Sequence, residues 1–340
     1  MFNPKFVITN KLLENIKKIT SKVGELNRRR FPDPVLVHLR KIAEATSSHA
    51  STSIEGNPLP LTDVKQILKN KPEYIRDTER EVLNYNNILK KINEKIENGH
   101  ITISLDLILS IHREITDKLL PNFKSGKLRK EPVFVNNPII QKTIYWPPDH
   151  QDVATLINDL INYINTNKGK IDPLIMAGIF HKQLVIIHPF TDGNGRTTRL
   201  LTKILMAEMG LNIFNLFSFE NYYNQNVSLY FTKVGVRGNY YGIYKNIDFT
   251  EWLEYFTDGI IDELLRVEKI LPSINIDLQT KLLPYHQKIL KFIQDKGIIS
   301  DSDYSKITRR AKATRRLDFN KLINLKLIER RGKGKLTYYK

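Results

Sequence analysis

The sequence predicts a mainly α-helical fold with one small β-hairpin and a basic C-terminal domain. Three observations carry this. Apolar residues recur at helical spacing in most segments. One short region, VFVNNPIIQKTIYW, is rich in strand-forming residues instead. Positive charge is concentrated at one end. The 340-residue chain has a net charge of +17, and from Asn275 onward 17 Lys+Arg stand against 6 Asp+Glu, a net of +11.

Taken in order, VLVHLRKIAEATSSHASTSIEGNPLPLTDVKQILKN predicts a helix, a Ser/Thr-rich passage ending at Gly56–Asn57, and a second helix. The strand-rich region predicts a hairpin around Asn136–Asn137–Pro138, stopped by Pro147–Pro148. In QDVATLINDLINYINTN, Val153, Leu156, Ile157, Leu160, Ile161 and Ile164 fall on one face of a helix. DPLIMAGIFHKQLVIIH follows, with Asp172 placed to cap and Pro173 to open a helix. That helix is apolar nearly all round, which predicts the buried centre of a helical domain, and it ends at His188. RTTRLLTKILMAEMG returns to helical spacing and stops at Gly210. LPSINIDLQT reads as a linker, and three helical segments beyond it precede a basic turn at 330–335. The expected organisation is a helical region over 1–100, a core over 101–270, a linker over 271–280 and a terminal domain over 281–340.

Composition sets limits. With 41% hydrophobic and 26% charged residues the chain is a globular protein long enough for two or three domains. The start lacks the apolar run of a signal peptide, and no run approaches the ~20 residues of a membrane helix. The best candidate is broken by His181 and Lys182, so a cytoplasmic, non-membrane protein is expected. There is no cysteine, which excludes disulfides, thiolate nucleophiles and cysteine-held zinc.

The chemistry lies in HPFTDGNGRTTR, residues 188–199, between the two central helices. A helix N-terminus offers unpaired N–H groups and partial positive charge. Gly193 and Gly195 let the backbone turn tightly and approach a ligand, which makes an anion cradle. Arg196 and Arg199, three apart on one helix face, add forked donors suited to phosphate. Asp192 supplies one carboxylate, enough for magnesium when phosphate and water complete its shell. His188 can accept a proton from an incoming hydroxyl. These types together suit an enzyme that holds a magnesium polyphosphate and deprotonates a nucleophile. No third metal ligand clusters with His188 and Asp192, which argues against a metallohydrolase, and His181 reads as a core histidine.

The stretch resembles the Fic-family signature HPFx(D/E)GNGRxxR at every characteristic position. The buried helix, Gly126–Lys127–Leu128–Arg129, the hairpin and Tyr145–Trp146–Pro147–Pro148 resemble that family's order of elements, over about residues 40–260. The resemblance implies a Fic-type helical bundle with the hairpin as a flap. It implies transfer of AMP from ATP, as co-substrate with Mg²⁺, to a Ser, Thr or Tyr hydroxyl of a target protein. His188 would be the general base, and Asp192 would hold Mg²⁺. Gly193, Asn194 and Gly195 would cradle the α-phosphate, with Thr197 in the same binding run. Arg196 and Arg199 would meet the outer phosphates, Asn226 and Tyr230 the adenine. The 133–145 hairpin would align the target by strand addition. The spacing alone does not set which phosphorus is attacked, and removal of AMP with help from Glu55 stays open.

Ser51–Thr52–Ser53–Ile54–Glu55–Gly56 resembles the family's inhibitory motif (S/T)xxxE(G/N). It implies that Glu55 reaches Arg199, takes the guanidinium meant for the outer phosphate and restrains transfer. The segment 285–340 resembles a winged helix-turn-helix, with the turn and recognition helix in 306–316 and the wing in 330–339. Its partner is DNA or a protein, and a homo-oligomer is left open. The alternative function is a nucleotide-sensing, DNA-binding regulator with little or no transfer.

Overall fold

The computed structural model describes residues 2–31, 33–70, 72–99, 101–137, 142–208, 210–271, 282–325 and 327–340. The helices and strands run in the order α1 (Asn10–Arg28), α2 (Asp33–Ile54), α3 (Leu61–Lys69), α4 (Asp77–Asn98), α5 (Leu105–Ile115), β1 (Val135–Asn137), β2 (Lys142–Trp146), α6 (Val153–Asn167), α7 (Pro173–Ile187) and α8 (Asn194–Ala207). They continue with α9 (Glu220–Gln225), α10 (Val227–Val234), β3 (Gly238–Asn239), α11 (Tyr240–Ile243), α12 (Thr250–Ile270), α13 (Pro284–Lys296), α14 (Asp301–Ile307), α15 (Lys312–Asn324), β4 (Arg330–Arg331) and β5 (Tyr338–Tyr339). The chain is mainly helical, as its periodicity predicts. No helix among the described residues is long and apolar enough to cross a membrane.

The chain divides into two compact units, residues 1–23 with 43–264, and residues 24–42 with 265–340. This differs from boundaries at 100 and 281. The residues of α3 and α4 belong to the larger unit, because Tyr85, Leu89 and Ile92 enter its main core. The stretch 24–42 joins the smaller unit, because Val35 and Leu39 pack on its core. Of the expected linker, 272–280 lies outside the described residues.

In the larger unit, α7 is the central helix. Asp172 caps it by accepting from the Leu174 N–H at 2.8 Å, and Pro173 opens it. Phe180, Leu184 and Ile187 pack with Ile108 and Ile111 of α5, Ile157 and Leu160 of α6, and Leu200 and Leu201 of α8. Each such side chain contributes about 1.5–3 kcal/mol on burial. One position has no room. Trp252 donates to the Gly178 carbonyl at 2.7 Å, and a Cβ on Gly178 would lie 2.6 Å from Leu253 Cδ2. Alanine gains about 1 kcal/mol of helix propensity over glycine, but overpacking costs about 1–3 kcal/mol. Gly178→Ala is therefore expected to lower the urea midpoint of unfolding.

Two expectations need correction. The Ser/Thr-rich passage does not break α2, which runs unbroken to Ile54. Ser48 and Thr52 turn their hydroxyls back onto the Glu44 and Ser48 carbonyls, at 2.7 and 2.8 Å, and so satisfy themselves inside the helix. The hairpin is present, but Asn136 and Asn137 are strand residues, paired with Thr143 and Lys142. The connection at 138–141, which includes Pro138, lies outside the described residues. A third strand completes the sheet, in the order β1-β2-β3, with β3 parallel to β2. α8 ends at Ala207, short of the expected stop at Gly210, which lies beyond the Glu208 cap and adopts a left-handed conformation (φ 76°).

The smaller unit joins α13, α14 and α15 to the antiparallel β4–β5 ribbon. Its core contains Ile289, Ile293, Tyr304, Phe319, Leu322 and Tyr339. Phe319 stacks on Tyr339 with centroids 3.9 Å apart.

Candidate active site

His188 is the residue at which α7 ends, and it adopts a left-handed conformation (φ 50°, ψ 62°). A non-glycine residue there is uncommon and carries some strain. Its Nδ1 lies 3.3 Å from the Val185 carbonyl, which can only accept, so the proton sits on Nδ1 and Nε2 is bare. Burial holds the imidazole below its usual pKa, so the ring is neutral at pH 7. The backbone behind it is clamped by Arg129, itself buried. The Arg129 N–H donates to the Pro189 carbonyl at 3.0 Å and its Nε to the His188 carbonyl at 2.8 Å. Its Nη2 donates to the carbonyl of Pro148, just past β2.

α8 starts one turn further on. Gly193, at φ 76°, provides the reversal that opens it. The Asn194 amide faces inward, accepting from the Phe190 N–H and donating to the Phe190 carbonyl, both at 2.9 Å. That side chain closes the loop by bonding both polar groups of Phe190. Asp192 leaves its side chain 57% exposed, with Oδ1 on the Gly193 N–H at 2.6 Å and Oδ2 on Arg196 at 3.0 Å.

Both arginines are held from behind. The Arg196 side chain, 2% exposed, is ion-paired with Asp192 and with Glu81 of α4. Arg199 is fully buried. Its Nε donates to Ser51 Oγ at 2.8 Å, and its Nη2 to the Ser51 carbonyl at 2.8 Å and to Glu55 Oε1 at 2.7 Å. Among the described residues its Nη1 has no hydrogen-bond partner. Burial disfavours the Arg199 charge, but the Glu55 carboxylate together with Tyr230 and Tyr85 more than offsets this. α2 ends at Ile54, just before Glu55, and Gly56 then adopts φ 94°, with its N–H on the Ser53 carbonyl and that of Asn57 on the Thr52 carbonyl.

One cleft of about 130 Å³ is lined by Glu55, His188, Asp192, Gly193, Asn194, Gly195 and Tyr230 among others, while Arg196 and Arg199 are not among its lining residues. The Glu55 carboxylate occupies the mouth of the cradle, since a Cβ built on Gly195 would overlap it. Ligand pockets typically measure about 300–1,000 Å³, so with Glu55 in this position the cleft is smaller than such sites. Of the other expected residues, Thr197 and Asn226 are not among the lining residues, whereas Tyr230 is. Thr197 is fully buried and its hydroxyl has no partner. Asn226 is exposed and caps α10 by accepting from the Leu229 N–H at 3.0 Å. Tyr230 is buried, its hydroxyl 3.0 Å from His181 Nε2. Two residues that sequence reasoning gave no role are Glu81 and Arg129. Glu81 sits in an ordinary amphipathic helix and carries no local signal. Arg129 falls in a stretch noted only for its order along the chain.

Residues 102–206 match the family model described as the Fic/DOC family. A protein adenylyltransferase Fic of Nematostella vectensis is 31% identical over 202 residues, covering 57% of this chain and 45% of the relative. The protein adenylyltransferase fic-1 of Caenorhabditis elegans is 32% identical over 166 residues, covering 47% of this chain and 31% of the relative. The chain thus spans less than half the length of these curated relatives. A Fic family protein from Desulfovibrio desulfuricans G20 has a similar fold, with a TM-score of 0.69 at 19% identity, covering 100% of this chain and 98% of that one. Fic-1 of C. elegans gives a TM-score of 0.59 at 22% identity, covering 76% and 72%. At these identities the structures speak for the fold alone. The loop between α7 and α8 lies within residues 102–206, the part of this chain that is similar to the Fic/DOC family.

Proposed function

We propose that this chain transfers AMP from Mg-ATP to a hydroxyl of a target protein and of itself, releasing pyrophosphate, and that Glu55 restrains the reaction. One observation carries the reading: a bare imidazole nitrogen, an exposed carboxylate and a glycine cradle line the same cleft. The names of the relatives favour adenylyl transfer among the reactions such a cleft suits.

The attacking hydroxyl oxygen forms a bond to the α-phosphorus, the bond to the pyrophosphate oxygen breaks, and the hydroxyl proton passes to His188 Nε2. The Nδ1 bond to Val185 keeps the ring turned for this task. N–H groups opening α8 stabilise the charge on the α-phosphate. Arg199 Nη1, buried and unpartnered, is the donor available to an outer phosphate, with Arg196 beside it. Among the described residues no three His, Asp or Glu gather as a metal cage. A lone exposed carboxylate fits magnesium that takes its other ligands from phosphate and water, and Asp192 would hold it there. Bound, the ion would neutralise phosphate charge. Strand β1 is at an edge of its sheet, so its outer side is where a target strand would add. Adenine contacts would fall to Tyr230 and, only after leaving its α10 cap, to Asn226.

The test is intact-mass spectrometry of the Glu55→Gly protein after incubation with Mg-ATP. A gain of one AMP is expected, and an unchanged mass under all conditions would reject transfer.

A second reading, DNA binding by the smaller unit, rests on exposed Arg309, Lys312 and Arg316, with Arg330, Arg331 and Lys333 on the ribbon. Other basic residues of the winged-helix-like segment are used internally. Arg310 is bonded to Asp318 at 2.8 and 3.1 Å and lies over the Tyr285 ring, and Arg315 is bonded to Asp301 at 2.8 Å twice. Lys312→Ala and Arg316→Ala are expected to weaken binding to any duplex and each to lower the salt slope by about 1. Binding that is indifferent to salt counts against phosphate contacts.

A further inference from the structure

We propose that His112 is a positioning residue that fixes the main chain of Asp192, and so the direction in which that carboxylate points. The proposal rests on reading Asp192 as the magnesium ligand.

His112 lies on α5, fully buried. Its ring touches the loop at three successive places. It stacks on Phe190, with centroids 3.6 Å apart and planes within 5°. Its Nε2 lies 3.0 Å from the Asp192 carbonyl oxygen. Gly193 passes so close that a Cβ there would sit 3.4 Å from His112 Cδ2 and 3.2 Å from Thr116 Cγ2. On its far side, the Gly126 N–H donates to Nδ1 at 2.9 Å. An N–H only donates and a carbonyl only accepts, so the two bonds together admit one form of the ring, Nδ1 bare and Nε2 protonated. The ring is thus an oriented donor, held at one nitrogen and aimed with the other.

Asp192 needs such a hold. Its Oδ2 leans on Arg196, which Glu81 also pulls and which an incoming phosphate would draw away. Its Oδ1 bonds, among the described residues, to the next peptide N–H. Once Arg196 is taken by phosphate, the carboxylate is placed by its own backbone, and that backbone is pinned at the carbonyl by His112. A shift of about 1 Å at such a group can cost about a hundredfold in rate.

A merely space-filling histidine makes a different prediction. Phenylalanine would fill the same space and keep the stack on Phe190. Asparagine can still accept from Gly126 but does not reach the Asp192 carbonyl. Glutamine can carry an N–H to that carbonyl.

The experiment compares His112→Phe, His112→Asn and His112→Gln in the Glu55→Gly protein, reading the melting temperature at saturating ATP as Mg²⁺ is titrated. The Mg²⁺ concentration for half-maximal stabilisation is expected to rise about 10–100-fold in the Phe and Asn variants. The Gln variant should recover most of the loss. Stabilisation by ATP without Mg²⁺ should be equal in all, and kcat should fall more than KM for ATP rises. Equal Mg²⁺ requirements in Asn and Gln variants would overturn the proposal even if the Phe variant does not fold. If Mg²⁺ adds no stabilisation in the parent itself, the reading of Asp192 falls and this proposal with it. If the parent responds and the variants match it, only the role of His112 is lost.

Discussion

Glu55→Gly is expected to raise self-adenylylation about ten- to a hundredfold. The Glu55 carboxylate makes one charge-assisted hydrogen bond to Arg199, at 2.7 Å. Such a bond contributes roughly 1.5–3 kcal/mol, and each 1.4 kcal/mol is tenfold. Glycine removes the bond and also clears the space in front of Gly195. Arg199 stays oriented without it, because Ser51 still accepts twice from the guanidinium. The substitution also leaves a fully buried cation short of its counter-charge, which costs up to about 3–5 kcal/mol. The variant should therefore melt lower than the parent alone, and Mg-ATP should raise its melting temperature more than it raises the parent's. Glu55→Gln, which keeps a hydrogen bond without the charge, should fall between. The measure is label incorporated from α-phosphate-labelled ATP alongside thermal shift. An unchanged rate with Glu55→Gly would reject the brake.

His188→Ala is expected to lower transfer by about 10²–10⁴-fold, the usual loss of a general base. The effect should fall on kcat, since the imidazole meets the attacking hydroxyl and not the cradle. Mg-ATP should still stabilise the variant, because Asp192, the α8 N–H groups and Arg199 are untouched. Alanine also relieves little backbone strain, as φ 50° disfavours any residue with a Cβ. Single-turnover transfer and thermal shift on one preparation separate the outcomes. Transfer that survives in His188→Ala would remove the base from this residue. Lost transfer with intact DNA binding by the smaller unit would separate the two activities cleanly.

Much of the site was legible because its chemistry is local. Four of the groups that line the cleft, His188, Asp192, Gly193 and Gly195, lie within eight residues, and the helices around them announce themselves by a buried run and a cap. The Glu55 contact was legible only through resemblance, since 144 positions separate it from Arg199 and no periodicity spans that gap. Glu81 and His112 left no signal. Each is a single polar residue in an amphipathic helix, and its role depends on which loop the helix packs against. The helical passage at 47–52 was misjudged because hydroxyl side chains favour turns in isolation, whereas buried on α2 they bond back to the preceding turn. Asn226 was placed by its neighbours in sequence, yet its carboxamide is spent on the first turn of α10.

Arg129 grips the peptide oxygen at the base and the one where the flap strand leaves the sheet. On the proposed reading, a polypeptide laid along the hairpin would be measured against the imidazole by a ruler one side chain long. The choice among neighbouring hydroxyls would then be a matter of strand register, since sliding by one residue would turn the wrong side chain toward the imidazole.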